Sequence, residues 1–215
     1  MRENLKYRIY TSIVLLSSLL FIFNFNFVLI YSLIILGVLS ILEFLEISRK
    51  IYLNKAILYL INIFFIIYIF TFCFMFFFFS NFAGLKIMLY ILLFGCIASD
   101  IGGFVFGRLL KGPKLTKISP KKTYAGSIGS LIFTVLIMSL LFFYLLKSLS
   151  YQLIIISFIT SIFCQLGDLF FSYLKRKAKL KDTGQFLPGH GGILDRIDGI
   201  LLGIPIGFLS IILLN

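Results

Sequence analysis

The only histidine of the chain, His190, lies in a stretch that also carries two aspartates and an arginine, "PGHGGILDRIDG" at residues 188–199. Asp195 and Asp198 are three residues apart, so on a helix their carboxylates share one face. Two carboxylates at that distance repel unless a cation lies between them or one is protonated. No cluster of His and Cys accompanies them, and oxygen-only ligation favours a hard cation such as Mg²⁺.

Two more aspartates, Asp100 and Asp168, lie within apolar sequence, in "GCIASDIGGFVFG" and "FCQLGDLFFSYLKR". An ionisable group in a membrane span is costly unless it faces a cavity, a partner or an ion, so these positions favour a functional role. The structural alternative is that the carboxylates of the first stretch form ion pairs with Lys175 and Arg176. For Glu43, near the end of an apolar run, the sequence favours pairing with the basic residues that follow it, with a position facing a cavity as the alternative.

Basic residues and glycines near these acids provide what binding of a polyphosphate requires. The stretches "KISPKKT" at 117–123 and "KRKAKLKD" at 175–182 supply lysine, arginine and hydroxyl groups. Gly191 and Gly192 allow backbone amides to approach a ligand closely, and the helix that follows favours an anion at its N-terminus. The chain has no P-loop sequence, so a nucleotide would be held in another way.

The segments that hold these residues are apolar. The chain has 215 residues, of which 60% are hydrophobic and 13% charged, whereas a soluble domain has roughly 25% charged residues. Its apolar runs reach the length of about 20 residues that crosses a membrane, so we predict an all-α polytopic integral membrane protein with about seven transmembrane helices, in a range of about six to nine. The predicted spans are 7–23, 26–47, 55–79, 82–109, 124–146, 151–174 and 197–214. The first is expected to be retained rather than cleaved as a signal peptide. The Phe-rich third is expected to be one helix, with two short helices as the alternative, because splitting it would place basic loops on both sides of the membrane.

The formal net charge of +12 is distributed asymmetrically. With the N-terminus in the cytoplasm, every basic residue except Lys86 and Lys147 falls on the cytoplasmic side, as the positive-inside rule requires. Basic loops also touch anionic lipid heads, and the lack of a long basic soluble domain argues against nucleic acid as a partner. We therefore expect a protein of the cell (inner) membrane whose active-site cavity faces the cytoplasm.

The stretch "SYLKRKAKLKDTGQFLPGHGGILDRID" at 172–198 resembles the signature of the phosphatidate cytidylyltransferases of bacteria, also called CDP-diacylglycerol synthases. Two further blocks agree with the family, "SDIGGFVFGRLLKGPKLTKISPKKTYAGSIGS" at 99–130 and "QLGDLFFSYLKR" at 165–176. The resemblance spans residues 95–207. It departs from the family at Tyr124-Ala125, where relatives usually have Trp-Glu.

The resemblance implies transfer of CMP from CTP to phosphatidate, which gives CDP-diacylglycerol and pyrophosphate in phospholipid biosynthesis. The lipid phosphate is itself the nucleophile, so the protein contributes positioning and charge neutralisation. The resemblance also implies Mg²⁺, a second ion such as K⁺, and a homodimer. It divides the chain into N-terminal transmembrane helices, 1–94, and a catalytic membrane region, 95–215, that carries the signature.

The resemblance assigns three kinds of site residue. Asp168, Asp195 and Asp198 are assigned to catalysis and metal binding, and Asp100 to a supporting role. His190 is assigned to catalysis, through contact with a phosphate or a metal-bound water, with a purely structural role in the glycine-rich turn as the alternative. The residues assigned to binding CTP or phosphatidate are Ser119, Lys121, Lys122, Ser172, Lys175, Arg176, Lys181, Asp182, Gly191, Gly192 and Arg196.

Two other functions stay open at this point. A CTP-dependent lipid kinase would share part of the signature, but the complete His-Gly-Gly-x-x-Asp-Arg-x-Asp sequence favours the transferase. An ion-coupled transporter would use Asp100, Asp168, Asp195 and Asp198 as a relay, but it would not need the basic loops.

Overall fold

A computed structural model describes residues 21–116, 119, 122–147, 150–184 and 191–214 of the chain. Six long helices follow one another along these residues: α1 (Asn26–Ile51), α2 (Lys55–Ser80), α3 (Ala83–Leu109), α4 (Tyr124–Leu146), α5 (Tyr151–Lys177) and α6 (Leu194–Leu214). The first predicted span, 7–23, lies outside the described residues except for its helical end at 21–23.

Each of the six helices is long and apolar enough to cross a membrane. In hydrocarbon every backbone polar group must be satisfied internally, which is why these Leu-, Ile- and Phe-rich runs form unbroken helices. Large side chains such as Phe27 and Phe64 are 79% and 72% exposed on the outside of the protein, as expected for residues that face lipid. The chain is therefore a multi-pass membrane protein, and the prediction that the Phe-rich span is a single helix is confirmed.

The helix ends differ from the predicted spans. Helix α1 continues to Ile51 and α5 to Lys177, while α6 begins at Leu194 instead of residue 197. Apolar runs mark only the part of a helix that lies in hydrocarbon, and the helices extend beyond it into polar surroundings. Helix α6 begins early because two carboxylates, described below, accept the amides at its start.

The helices form two compact units. The first comprises the chain up to Ser80 together with Leu174–Arg196, and the second comprises Asn81–Tyr173 and Ile197–Asn215. Most of the signature stretch thus packs with the N-terminal helices, although it follows the predicted boundary between residues 94 and 95. That boundary concerns catalytic roles and stays a prediction.

In the second unit, α3 and α4 approach closely through small residues. A Cβ added at Gly102 would lie 2.7 Å from the carbonyl oxygen of Gly129, and one added at Gly103 would lie 2.7 Å from Ser130 Oγ. Ser130 Oγ in turn donates to the carbonyl of Ser99 at 2.7 Å. Such small-residue contacts let helix backbones meet in a membrane, and here they bring polar groups of both helices to one cavity.

Candidate active site

A buried lysine–aspartate pair lies at the centre of a polar cluster in the first unit. Lys175 Nζ lies 2.5 Å from Asp195 Oδ1, and the two side chains are only 12% and 11% exposed. The other oxygen, Asp195 Oδ2, accepts the backbone N–H of Thr183 at 2.8 Å and that of Gly192 at 3.2 Å. Asp195 is therefore held in one orientation in the first turn of α6. We call Glu43, Lys175, Thr183, Gly192 and Asp195 the signature cluster.

This geometry contains the ion pair between Lys175 and Asp195 that the sequence left open as the structural alternative. An ionised carboxylate has more acceptor positions than these three donors occupy. The ion pair is therefore compatible with metal binding by Asp195, which stays a prediction.

Glu43 of α1 belongs to the same cluster, although the sequence analysis assigned it no role in the site. The residue is 1% exposed. Its Oε2 accepts Thr183 Oγ1 at 2.7 Å and the amide of Leu194 at 2.9 Å, and its Oε1 accepts the amide of Ile193 at 2.9 Å. The expectation that Glu43 pairs with the basic end of its own helix is wrong, because its carboxylate bonds to residues 140 to 151 positions away. An acid within an apolar span was the signal that could have identified it.

The glycines of the signature stretch make room for these carboxylates. Gly191 has a φ of 82°, in the left-handed region that glycine adopts without strain. A Cβ at Gly192 would lie 2.5 Å from Glu43 Oε2. The Gly192 amide donates to Asp195 and the next two amides donate to Glu43, so these groups bind the protein's own carboxylates. Phosphate binding by Gly191 and Gly192 stays a prediction.

A second polar cluster, in the second unit, surrounds a cavity of ≈ 260 Å³. Lys122 forms an ion pair with Asp168 Oδ2, and Ser172 Oγ donates to Asp168 Oδ1 at 3.3 Å. The second contact is the one that a spacing of four residues on a helix predicts. We call this space the Asp168 cavity. Its polar lining residues are Ser99, Asp100, Ser119, Lys122, Thr123, Ser127, Ser130, Gln165 and Asp168.

The loop before α4 holds Lys122 at this cavity. The Leu115 amide donates to the Lys122 carbonyl at 2.8 Å, and the Lys122 amide donates to the Ser119 carbonyl at 3.0 Å. Thr123 caps α4, because its Oγ1 accepts the amide of Gly126 at 3.1 Å, as Thr at a helix N-cap commonly does. Ser119 and Lys122, both assigned to substrate binding from the sequence, thus line one cavity.

Two polar residues that line the Asp168 cavity, Ser127 and Gln165, form two hydrogen bonds with each other that were not predicted. Ser127 Oγ donates to Gln165 Oε1 at 2.5 Å, and Gln165 Nε2 donates to the Ser127 carbonyl at 3.3 Å. Both residues lie in the blocks that resemble the family. Their polarity inside apolar sequence was the available signal, but a single sequence does not show which polar residues face each other.

Three other residues with predicted substrate-binding roles are Arg176, Lys181 and Asp182. Arg176 is exposed and donates from Nη1 to a backbone carbonyl at 3.4 Å, at the end of α5. Lys181 and Asp182 are exposed and line a cavity of ≈ 600 Å³ together with Glu46 and Lys50 of α1.

Four further residues had roles assigned from the sequence. Asp198 is 7% exposed and its Oδ1 accepts the amide of Gly199 at 2.8 Å. Arg196 is exposed at the start of α6. His190 and Lys121 lie outside the described residues.

Comparison with known protein families identifies the family of this chain. Residues 5–214 match the model of the cytidylyltransferase family. The chain belongs to this family. The resemblance carried by residues 172–198 is thereby confirmed, because the match runs through the signature stretch and both clusters.

Several members of the cytidylyltransferase family are similar to this chain over part of their length. The phosphatidate cytidylyltransferase of Staphylococcus haemolyticus is 41% identical over 141 residues, which are 65% of this chain and 53% of the relative. That of Rickettsia typhi is 43% identical over 130 residues, 56% and 57% of the two chains. That of Helicobacter pylori is 37% identical over 130 residues, 59% and 49% of the two chains. The chain spans about half the length of the curated relatives it matches.

The oxygen donors in this member of the cytidylyltransferase family fit Mg²⁺. No group of three or more His, Cys, Asp or Glu side chains in the described part of the chain is close enough to hold a metal. Mg²⁺ does not need such a group, because proteins usually bind it through one or two carboxylates together with water and substrate phosphates. Asp168, with the Ser172 hydroxyl beside it, offers oxygen donors of this kind at a polar cavity.

Proposed function

We propose that this chain is a phosphatidate cytidylyltransferase, which transfers CMP from CTP to phosphatidate and releases pyrophosphate. The observation that carries the proposal is the signature cluster, in which Lys175 and Asp195 are held against each other by backbone amides of the signature stretch. Relatives named phosphatidate cytidylyltransferase in several bacteria support it.

The proposed reaction needs no nucleophile from the protein. A phosphate oxygen of phosphatidate attacks the α-phosphorus of CTP, and the bond from that phosphorus to the bridging oxygen of pyrophosphate breaks. The products are CDP-diacylglycerol and pyrophosphate. Both substrates are anionic, so catalysis consists of bringing them together and neutralising charge that builds up as pyrophosphate leaves.

In this mechanism the paired lysines bind phosphate oxygens. Lys122 and Lys175 are each held beside a carboxylate, which orients the ammonium group until a substrate phosphate takes the place of the carboxylate. Asp168, Asp195 and Asp198 are the residues that we assign to Mg²⁺. When bound, Mg²⁺ supplies charge neutralisation on the triphosphate, and a second ion such as K⁺ adds to it.

The remaining residues assigned from the sequence are proposed to bind the substrates. We assign Ser119, Lys121, Ser172, Arg176, Lys181, Asp182, Gly191, Gly192 and Arg196 to binding CTP or the phosphatidate headgroup, and His190 to a phosphate or a metal-bound water. We propose that the site faces the cytoplasm from the cell membrane, because the positive-inside rule places the basic loops there and CTP is cytosolic. We also propose a homodimer without a nucleic-acid partner.

The fate of labelled CTP tests the proposed function. The purified chain in detergent is incubated with phosphatidate, Mg²⁺ and CTP labelled at either the α- or the γ-phosphate. A cytidylyltransferase moves the α-label into the lipid and leaves the γ-label in pyrophosphate. Entry of the γ-label into lipid would instead show a lipid kinase, and a chelator is expected to stop the α-label transfer.

A further inference from the structure

A buried acid on α1 bonds to two separate parts of the signature stretch. Glu43 is 1% exposed although it lies in a membrane helix, where an ionisable group is costly and is usually placed for a function. Its three hydrogen-bond donors are Thr183 before the glycines and Ile193 and Leu194 after them. Its carboxylate therefore joins Thr183 to the residues at the start of α6.

The fit around this carboxylate is close. A Cβ at Gly184 would lie 2.5 Å from Glu43 Oε1, and a Cβ at Gly192 would lie 2.5 Å from Oε2. Glycine at both positions lets the backbone pass directly against the carboxylate. A shorter acid at residue 43 would not reach all three donors, and a neutral amide would bring a donor against the amide of Ile193.

The bonds of Glu43 lead directly to Asp195. Thr183 donates its hydroxyl to Glu43 and its backbone N–H to Asp195 Oδ2, at 2.7 Å and 2.8 Å. Leu194, whose amide Glu43 accepts, is the residue before Asp195. The position of the Asp195 carboxylate is thus set from two directions by groups that Glu43 holds.

We propose that Glu43 is a positioning residue for the transfer reaction, which holds Thr183, the start of α6 and, through them, Asp195 in the geometry that binds CTP. This inference rests on the proposed function. It extends the active site to α1, a helix that precedes every block of the family resemblance. Glu43 acts through Thr183 and the start of α6, and it does not contact the substrates.

The first test compares Glu43→Gln with Ser48→Ala, a control on the same helix. Ser48 donates to Asn62 of α2 at 2.7 Å in a buried contact that does not touch the signature cluster. Loss of one buried hydrogen bond to a charged group changes an equilibrium constant by about tenfold or more. We therefore expect Glu43→Gln to raise the KM for CTP at saturating Mg²⁺ by about tenfold or more, and Ser48→Ala to leave it unchanged.

Measuring the KM for CTP separately from kcat distinguishes a positioning role from a loss of folded protein. A variant that merely unfolds in part has a lower kcat with an unchanged KM, because the remaining folded molecules bind CTP normally. An unchanged KM for CTP in Glu43→Gln would overturn the proposal. If the wild-type chain makes no CDP-diacylglycerol, the proposed function fails first and the comparison is not reached.

Hydrogen exchange gives a readout besides activity. The amides of Ile193 and Leu194 are protected by Glu43, so their exchange is expected to become faster in Glu43→Gln while the amides within α2 keep their protection. In Ser48→Ala the exchange at these two residues should match the wild type. Equal exchange in all three proteins would contradict the geometry on which the proposal rests.

A second pair of variants keeps the test decisive if Glu43→Gln fails to fold. Thr183 is 2% exposed, and Thr183→Val keeps its shape but removes the hydroxyl that donates to Glu43, whereas Thr183→Ser keeps the hydroxyl. We expect the valine variant to raise the KM for CTP by about threefold or more and the serine variant to stay near the wild type. Equal KM values for the two variants would overturn the proposal.

Discussion

Asp168 and Asp195 each accept a lysine ammonium, from Lys122 and Lys175. Both aspartates have apolar sequence on either side, whereas the lysines come from the two basic stretches, 117–123 and 175–182. A charge left without its partner would be costly to bury. Without substrate, each pair holds a lysine ammonium close to a carboxylate. A bound triphosphate with its cation offers the opposite charges to both partners, so the pairs can open without leaving a charge unmatched.

Replacement of Lys122 tests this reading at the Asp168 cavity. Lys122→Met keeps most of the side-chain length but leaves Asp168 without its cation, so we expect kcat/KM for CTP to fall by about tenfold to hundredfold. Lys114→Met, in the same loop and exposed, serves as the matched control and should keep near wild-type kinetics. Similar losses in both variants would mean that the loop contributes only general positive charge.

Single residues also show what could be foreseen from the sequence. The contact of Ser172 with Asp168 was predictable, because helical spacing alone brings residues four apart together. The contacts of Lys122 with Asp168 and of Glu43 with Thr183 join segments distant in sequence. One sequence contains no information on which distant polar residues pair, so these contacts became visible only in the folded chain.

At the scale of elements, the apolar runs determined most of the architecture. Predicted spans and observed helices agree for α1 to α6 because a run of about 20 apolar residues in a membrane satisfies its backbone hydrogen bonds by forming a helix. The helix ends were harder to predict, since they depend on capping groups such as Thr123 and Glu43 that lie outside the apolar run or on another helix.

The packing of α3 against α4 gives a prediction about stability. Gly102→Ala would place a methyl group 2.7 Å from the backbone oxygen of Gly129, so the helices would have to move apart, at a cost of about 1–3 kcal/mol. Gly84→Ala, on the same helix with nothing within 4 Å of the added carbon, should be neutral or slightly stabilising. Thermal unfolding in detergent measures both, and equal midpoints would contradict the described packing.

At the scale of the whole molecule, the proposed reaction joins a water-soluble nucleotide to a lipid. The reaction therefore needs a protein that borders lipid and also binds a nucleotide. The apolar helices of this multi-pass membrane protein border lipid, and its clustered lysines and carboxylates suit a nucleoside triphosphate with Mg²⁺. Membership in the cytidylyltransferase family agrees with this combination. The signature stretch gains its geometry from the N-terminal helices with which it packs.

The most direct measurement is the yield of CDP-diacylglycerol and pyrophosphate from phosphatidate and CTP, for the purified wild-type chain and for Asp195→Asn. The wild type should form the two products in equal amounts. Asparagine keeps the size of Asp195 but removes the charge that pairs with Lys175 and is assigned to Mg²⁺, so the variant should lose about hundredfold or more in rate. A wild-type chain that forms no CDP-diacylglycerol, or an Asp195→Asn variant that forms it at the wild-type rate, would contradict the account.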